Sequence, residues 1–289
     1  MGIRTKFNLV LMLVFGLGLG VTGYVSYTLL QKNARDEVLR NAGVIMEAAL
    51  SMRQYTQKNV SPKLDYQPDT FLPESVPAFA ATEMMNQLRQ KYTDYSYKEA
   101  VLNPMNLRDR AVEWEADVVN AFRNNTATTE LTGIRNAATG QALYLARPLN
   151  VNEEGCLTCH STPDKAMPAL VKQYGSNNGF GWKHREIIGA QIVSVPMALP
   201  IENANRAFIT FMASLSGVFV VLFIILNVML SILIVRPITN LSEAANEIST
   251  GNMDIPEFAD KGNDEMALLG KSFNRMRRSL QKAISLIDQ

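Results

Sequence analysis

Two long apolar spans constrain the fold of this chain more than any other feature of its sequence. Residues 7 to 30 are uncharged and almost wholly apolar, and residues 207 to 235 contain no charged side chain either. Each span is long enough to cross about 30 Å of hydrocarbon as a helix. The sequence therefore predicts a membrane protein with two transmembrane helices, which has membrane lipid as one of its partners.

The start of the first span has a second interpretation. Arg4 and Lys6 form a short basic segment, which is also how a secretory signal peptide begins. The apolar stretch is longer than a usual signal core, and no small-x-small cleavage site precedes Gln31. We therefore favour an uncleaved anchor that leaves residues 1 to 6 in the cytoplasm, and a cleaved signal peptide is the alternative.

Between the spans, the pentapeptide Cys156-Leu157-Thr158-Cys159-His160 is the pattern that attaches a c-type haem. Each sulfur takes one vinyl group as a thioether, and the imidazole binds the iron. A thioredoxin-like site has no use for the following histidine. A zinc site would need about four ligands, and beyond these three the chain offers only His184 and carboxylates. A disulfide across so short a loop would constrain little. The pattern therefore predicts covalent haem c, with His160 as an axial iron ligand.

The segment between the spans is predicted to hold one globular domain, residues 63 to 197. A helical stalk over residues 31 to 62 precedes it, and residues 198 to 206 form a linker to the second span. Apolar residues of the stalk recur at alternating steps of four and three, which is typical of a seam for a partner helix or for the domain itself. They are Val38, Ala42, Ile45, Ala49 and Met52. The stalk is expected to end near residues 61 and 62, where a proline disfavours helix.

Within the domain, the sequence pattern predicts a mixture of helices and short strands. Helices are expected over residues 76 to 92 and 107 to 123 and after Pro163, and strands over residues 130 to 135, 141 to 151 and 187 to 197. A turn is expected at residues 136 to 140, and the haem motif in a loop after the second strand. The glycine-rich segment 175 to 181, followed by Trp182, either wraps the haem edge or forms an ordinary surface loop.

The C-terminal stretch, residues 236 to 289, contains two apolar seams separated by a connector over residues 251 to 262. The seams are Ile238, Leu241, Ala245 and Ile248, and then Met266, Leu269, Phe273, Met276, Leu280, Ala283 and Ile287. Two short parallel helices per chain imply a four-helix coiled coil in a homodimer. The stretch resembles the HAMP domain, the cytoplasmic relay of bacterial receptors. The matching residues are Pro237-Ile238, Gly251-Asn252-Met253, Asp264-Glu265 and Ser272-Phe273-Asn274-Arg275-Met276.

The whole chain resembles a transmembrane receptor whose periplasmic domain belongs to the c-haem sensor family with a PAS-like fold. The matching segments are Tyr144 to Pro148, which leads into the haem motif, Gly189 to Pro196, and Asn103-Pro104. The resemblance implies an α+β membrane protein with a PAS-like antiparallel sheet, flanking helices and a cytoplasmic HAMP coiled coil. Haem c is attached outside the cytoplasm, so residues 31 to 206 are expected in the periplasm of a bacterium, with the chain in the inner membrane.

The second axial position on the iron departs from that family. A family member ligates there with a cysteine of an early helix, and the corresponding position in this chain falls near Phe79 or Ala80, neither of which binds iron. Either the iron is five-coordinate and leaves a face for a gas molecule, or Met84 or Met85 supplies a thioether. Methionine also fills cores. His184 stands between two basic residues and is expected to be solvated.

The haem propionates are expected to meet cations, because a guanidinium matches a carboxylate in geometry and charge. Arg147 lies just ahead of the haem motif, and Arg108 and Arg110 follow the Asn103-Pro104 turn. These three arginines are the candidates, and a solvated surface position is the alternative for each of them.

The order of these parts predicts a haem-based redox or gas sensor that transmits a periplasmic signal through HAMP. Because the chain ends directly after HAMP, a separate output partner is expected. One alternative is a membrane-anchored monohaem cytochrome subunit for electron transfer, and another is a structural subunit whose haem is incidental. No nucleophile motif, phosphate loop or kinase signature is present, so no enzyme is predicted. The formal net charge of +1 gives no reason to expect nucleic acid.

Overall fold

The computed structural model of the chain describes residues 2 to 64, 70 to 137, 140 to 152, 154 to 258 and 262 to 287. The chain forms two compact units. One unit is Thr28–Ala207, and the other combines Met1–Tyr27 with Phe208–Gln289.

The described residues form helices and one sheet. The helices are α1 (Ile3–Tyr55), α2 (Pro77–Lys91), α3 (Glu113–Asn124), α4 (Glu154–His160), α5 (Pro168–Tyr174), α6 (Ala198–Leu230), α7 (Arg236–Ser249) and α8 (Glu265–Ile287). The strands are β1 (Ser96–Val101), β2 (Leu131–Ala137), β3 (Gly140–Asn150) and β4 (Ile187–Pro196). The π-helical turns Thr56–Val60 and Ser231–Val235 follow α1 and α6, and 3-10 turns lie at Ser61–Lys63, Pro73–Ser75 and Leu107–Asp109.

The four strands form an antiparallel sheet in the order β1-β4-β3-β2. Glu99 of β1 lies opposite Gln191 of β4, and Leu145 of β3 lies opposite Val193. All residues of β4 except the last are buried, because the strand is central and both faces of the sheet are covered. The antiparallel sheet with flanking helices, predicted from the sequence, is confirmed.

The main core lies on one face of this sheet. Residues of α1 and α2 pack there against β3 and β4, and the buried set includes Val38, Ala42, Met46, Ala49, Ala81, Met85, Leu143, Leu145 and Val193. Burying one such large side chain contributes roughly 1.5–3 kcal/mol. The apolar seam of the stalk therefore packs on its own domain, which is one of the two alternatives left open by its periodicity. The other face of the sheet packs Val118, Val119 and Phe122 of α3.

Several elements of this unit differ from the sequence prediction. Helix α3 begins at Glu113, and the residues predicted as its first turn form the 3-10 turn instead. Strand β1 was not predicted, because Lys98 and Glu99 interrupt the apolar alternation. The haem motif lies in the short helix α4 and not in a loop. Residues 138 and 139 of the predicted turn lie outside the described residues, between the paired residues Ala137 and Gly140.

The second unit contains the two apolar spans. The helices that carry them, Ile3–Lys63 and Ala198–Ser249, are long and apolar enough to cross a membrane. Within this unit the spans pack side by side, since the rings of Phe15 and Phe219 stack with centroids 4.7 Å apart. Most of their other large apolar side chains are exposed, as expected for residues that face lipid.

The C-terminal helices α7 and α8 are joined by an extended connector, of which residues 259 to 261 lie outside the described residues, as does the side chain of Ile287. Asn274 of α8 donates to the carbonyl of Phe258 (2.9 Å) and accepts from its amide (3.1 Å). Arg277 donates to the carbonyl of Ile255. These bonds hold the connector against α8. Much of the second predicted seam, including Leu269, is exposed in the single chain.

Candidate haem site

The two cysteines lie on one face of helix α4. Residues three apart are neighbours on a helix surface, so the spacing brings Cys156 and Cys159 together. Both side chains are half-buried, and the sulfurs form no disulfide within the described part of the chain. Burial raises the pKa of the Cys159 thiol. Cys156 and Leu157 of this helix pack against a buried apolar cluster of Val101, Val151 and Ile188.

His160 is held by the glycine-rich loop that follows α5. Its Nδ1 lies 2.6 Å from the carbonyl oxygen of Gly179. Because a carbonyl only accepts, Nδ1 carries the proton and Nε2 keeps its lone pair for a metal. Burial lowers the pKa of the imidazole, which favours this neutral form. The ring also stacks on Trp182, with centroids 3.8 Å apart and planes 8° from parallel.

The conformation of this loop requires glycine at the position that contacts His160. Gly179 has φ = 81°, and a Cβ added there would lie 2.5 Å from Cβ of Met105. The loop is also tied to the end of α4, because the amide of Gly181 donates to the carbonyl of Ser161 (2.8 Å) and that of Trp182 to the carbonyl of His160 (3.2 Å). The glycine-rich segment therefore lies against the haem motif.

Asn103 fixes the loop from a distant part of the chain. Its Oδ1 accepts from the amide of Gly179 (3.1 Å), and its Nδ2 donates to the carbonyl of Phe180 (3.2 Å). Its own carbonyl accepts from the indole N–H of Trp182 (3.3 Å). The sequence indicated this asparagine as part of a turn and of a segment that matches the c-haem sensor family. The structure shows that it orients the residue that holds His160.

A buried polar network that was not predicted from the sequence lies close to the haem motif. The Arg53 guanidinium of α1 lies 2.5 Å from both carboxylate oxygens of Glu99, and Tyr97 donates to the same carboxylate (2.8 Å). Gln191 donates to the Tyr97 hydroxyl (3.4 Å). Glu99 is only 3% exposed. The Arg53–Glu99 ion pair therefore joins β1 to α1, the helix that carries the first apolar span.

Charge and burial shift the pKa values of this network. Burial, and then the Glu99 carboxylate, raise the pKa of Tyr97, so its hydroxyl keeps the proton that it donates. Burial would lower the pKa of Arg53, but the negative charge of Glu99 raises it overall. Glu99 lies two residues before Val101 on the same face of β1, and Cys156 packs against the cluster that contains Val101, so the network lies near the haem motif.

The three arginines predicted to meet propionates lie at three different places. Arg147 lies opposite Gln191 in the sheet and binds Glu47 (2.6 Å) and Glu130 (3.0 Å). Arg110 donates to Asn178 (3.1 Å), the residue before the glycine that holds His160.

Arg108 lies on α2. It binds Glu83 of that helix (2.6 Å), and its guanidinium lies 5.0 Å from the ring centre of Phe79. The structure thus brings only Arg110 to the loop that holds the histidine.

The methionines predicted as a sixth ligand belong to the main core. Met85 is 1% exposed among the residues of α1, α2 and the sheet, and Met84 packs against the same cluster while half-buried. Cys156 packs in a separate cluster. His184 is exposed, in agreement with the expectation that it is solvated.

The residues present fit a covalently attached haem. The two thiols lie on one face of α4, the neutral His160 has Nε2 available, and the cluster on which α4 packs is apolar. Among the described residues, no group of three or more His, Cys, Asp or Glu side chains could hold a metal ion by itself. One available histidine nitrogen beside two thiols suits a metal that brings its remaining ligands with it, as iron does in a porphyrin.

Comparisons with known proteins gave two family matches. Residues 31–196 match the family model described as Tll0287-like, and residues 229–282 match the model of the HAMP domain. Among solved structures, the cyanobacterial heme-protein Tll0287 aligns with 15% sequence identity and a TM-score of 0.45, over 55% of this chain and 95% of that chain. No curated protein matches the chain.

Proposed function

Because this chain belongs to the Tll0287-like family and also carries a HAMP domain, we propose that it is a transmembrane sensor based on haem c. It detects a redox change or a gas and transmits the signal through HAMP to a separate partner. The observation that carries the proposal is His160, held with Nε2 available beside two thiols, in a chain that also has two apolar spans and HAMP. The role is one of signalling and not of catalysis.

In this proposal, Cys156 and Cys159 hold the haem by thioether bonds and His160 is an axial ligand. When bound, the iron supplies a centre that changes oxidation state or takes up a diatomic gas. The Gly179 carbonyl orients His160, and Arg110 is the propionate partner best placed beside that loop. Arg147 and Arg108 are the other candidates. Met84 and Met85 stay candidates for the sixth position.

The orientation in the membrane follows from the proposed cofactor. Haem c is attached outside the cytoplasm, so residues 31 to 206 would face the periplasm and HAMP the cytoplasm of a bacterial cell. The exposed apolar residues of α8, such as Leu269 and Leu280, support a homodimer in which two HAMP domains form a four-helix coiled coil.

The signal has two routes out of the haem domain. Helix α1 is joined to the sheet by the Arg53–Glu99 pair and by its apolar seam. Strand β4 leads into α6 through Met197, whose amide donates to the carbonyl of Gln141 (2.9 Å). A shift of one helix relative to the other would bias the two arrangements of a HAMP coiled coil. A coupling of about 1–3 kcal/mol is sufficient for such regulation.

The test is an absorption spectrum of the full chain, produced together with haem-attachment machinery and purified in detergent. Haem that stays with the chain after denaturation, and is lost in Cys156→Ser and Cys159→Ser, would support covalent attachment. Absence of bound haem would overturn the proposal.

Spectra of the ferric and ferrous protein with carbon monoxide and nitric oxide then separate the possible signals. A high-spin ferrous form that binds gas would support gas sensing. A low-spin form that binds neither gas would support redox sensing with a protein sixth ligand, and Met84→Ala and Met85→Ala would identify it. A low-spin couple with fast electron exchange, and no change in the HAMP segment between ferric and ferrous forms, would favour an electron-transfer subunit and contradict sensing.

A further inference from the structure

A cavity of about 270 Å³ lies beside β1, between α2 and the segment that leads into α3. Its strand residues include Lys98 and Ser194. These alternate along their strands with Glu99 and Val193, which belong to the face of α1 and of the haem motif. The cavity therefore opens mainly on the other face of the sheet. Tyr97, which also lines it, belongs to the buried network described above.

The cavity is lined by more positive than negative side chains. Arginines and a lysine at positions 89, 98, 108 and 135 face the carboxylates of Asp109 and Glu115. Two of the cations are already paired. Lys98 lies 2.7 Å from Glu115. Arg108 lies 2.6 Å from Glu83 outside the cavity and 3.6 Å from Asp109.

The other two cations, Arg89 and Arg135, form no ion pair with any residue in the described ranges. Nε of Arg135 is buried and has no hydrogen-bond partner within that part of the chain. A buried donor on a charged group is unfavourable unless an acceptor reaches it. The cavity is thus lined by a guanidinium with one unpartnered buried N–H, and a guanidinium binds carboxylates in two-point geometry.

The guanidinium of Arg135 packs on the ring of Trp114, which forms an aromatic platform together with Tyr144. Arg135 lies over the ring of Trp114, 4.5 Å from its centre, and Trp114 packs against Tyr144 with ring centroids 5.4 Å apart. Tyr144 in turn lies across Gly133, where an added Cβ would come within 2.6 Å of the phenol ring. Strand β2 therefore needs glycine at position 133 to accommodate the ring of Tyr144. The residues that support Arg135 are thus closely packed.

We propose that this cavity binds a small organic carboxylate, with Arg89 and Arg135 as its donors. The volume lies below the range of about 300–1,000 Å³ for pockets of drug-sized ligands, which suits a molecule of a few carbon atoms. Ser96 and Ser194 add hydroxyl groups to the lining. Asp109 and Glu115 in the same cavity oppose a doubly charged phosphate more than a singly charged carboxylate. The site would give the domain a second chemical input that does not depend on haem.

Isothermal titration of the full chain in detergent tests the proposal. Acetate, propionate and benzoate are titrated at constant ionic strength, with malonate, succinate and inorganic phosphate as doubly charged anions for comparison. At least one carboxylate is expected to bind saturably, and about tenfold more weakly to Arg89→Gln and to Arg135→Gln. Lys91→Gln, an exposed cation of the same helix that does not line the cavity, is the control and should bind as the unaltered chain does.

Thermal unfolding of each variant verifies that it is folded. At one fixed concentration, the carboxylate should raise the melting temperature of the unaltered chain and of Lys91→Gln, and raise it less in Arg89→Gln and Arg135→Gln. The proposal is overturned if no carboxylate binds, if both arginine variants bind like the unaltered chain, or if phosphate binds as tightly. The titration does not require haem. A preparation that lacks bound haem would therefore contradict the proposed sensor function, but carboxylate binding could still be measured in it.

Discussion

Removing the carboxylate of Glu99 measures how strongly the buried ion pair with Arg53 stabilises the haem domain. Glu99→Gln leaves a guanidinium whose side chain is 24% exposed, whereas Arg53→Met leaves a carboxylate whose side chain is 4% exposed. Breaking a buried pair by removing one partner costs about 3–5 kcal/mol. We expect about 3 kcal/mol for Glu99→Gln, because water still reaches Arg53, and a value near 5 kcal/mol for Arg53→Met.

The assay is denaturant unfolding of the full chain in detergent, followed by the Soret absorbance of the bound haem. Glu202→Gln is the control, since it breaks an exposed pair with Arg206 at 2.6 Å, and it should change the free energy of unfolding by less than about 0.5 kcal/mol. A change for Glu99→Gln no larger than that of the control would refute the reasoning. So would a smaller effect of Arg53→Met than of Glu99→Gln.

Three further predictions use matched variants. Gly179→Ala should lower the temperature at which the haem absorbance is lost by more than Gly175→Ala does. Both glycines have positive φ, but only at Gly179 would the added Cβ meet a neighbour, at 2.5 Å; equal effects would contradict a role of the close approach. Burial raises the pKa of Asp109 to about 6 from 3.8, so the folded state prefers the protonated form and its stability falls as pH rises between these values. Asp109→Asn should therefore be more stable than the unaltered chain at pH 8, by at most about 3 kcal/mol, and equal to it at low pH in thermal melts; a constant difference across pH would show that ionisation is not the cause. Leu269→Cys should form a disulfide-linked dimer in membranes under oxidation, seen on non-reducing gels, whereas Arg275→Cys on another face of α8 should not, and equal cross-linking would argue against the seam.

The sequence allows definite predictions where a local pattern carries the information. The haem motif is five consecutive residues, and the apolar spans and the C-terminal seams are periodic within single helices. Helix α2 and strand β4 are also close to their predicted bounds, because each has one continuous apolar pattern. Strand β1 was missed because it contains a buried glutamate, and Glu99 can be buried only because Arg53, far away in the sequence, neutralises it.

The same reasoning explains which parts of the candidate site the sequence could not show. His160 was predicted from its position next to Cys159. Its hydrogen-bond partner is a backbone carbonyl, which every residue has, and the choice of Gly179 depends on the fold of the loop. Asn103 reaches that loop from more than seventy residues earlier. Such contacts leave no local signature, apart from the run of glycines that makes the close approach possible.

The Arg53–Glu99 pair and the apolar seam hold the same helix to the same sheet, but only the pair consists of charges. A change of charge in the haem site would act on charged neighbours and leave the apolar contacts of Val38 and Ala42 unaffected. The double variant Arg53→Met with Glu99→Leu should therefore separate stability from signalling. An apolar pair of similar volume is often as stable as a buried ion pair, so unfolding should change by less than in either single variant.

Signalling in the double variant can be followed through the HAMP seam, and this prediction rests on the proposed sensor function. In a chain that carries Leu269→Cys, the rate of cross-linking should differ between the ferric and ferrous forms when Arg53 and Glu99 are present. With both replaced by apolar residues, the two rates should become equal although haem is bound and the domain is folded. If the ferric and ferrous rates still differ to the original extent, the ion pair does not transmit the signal. The route would then be β4 and its continuation into α6, since that connection is unchanged in the variant.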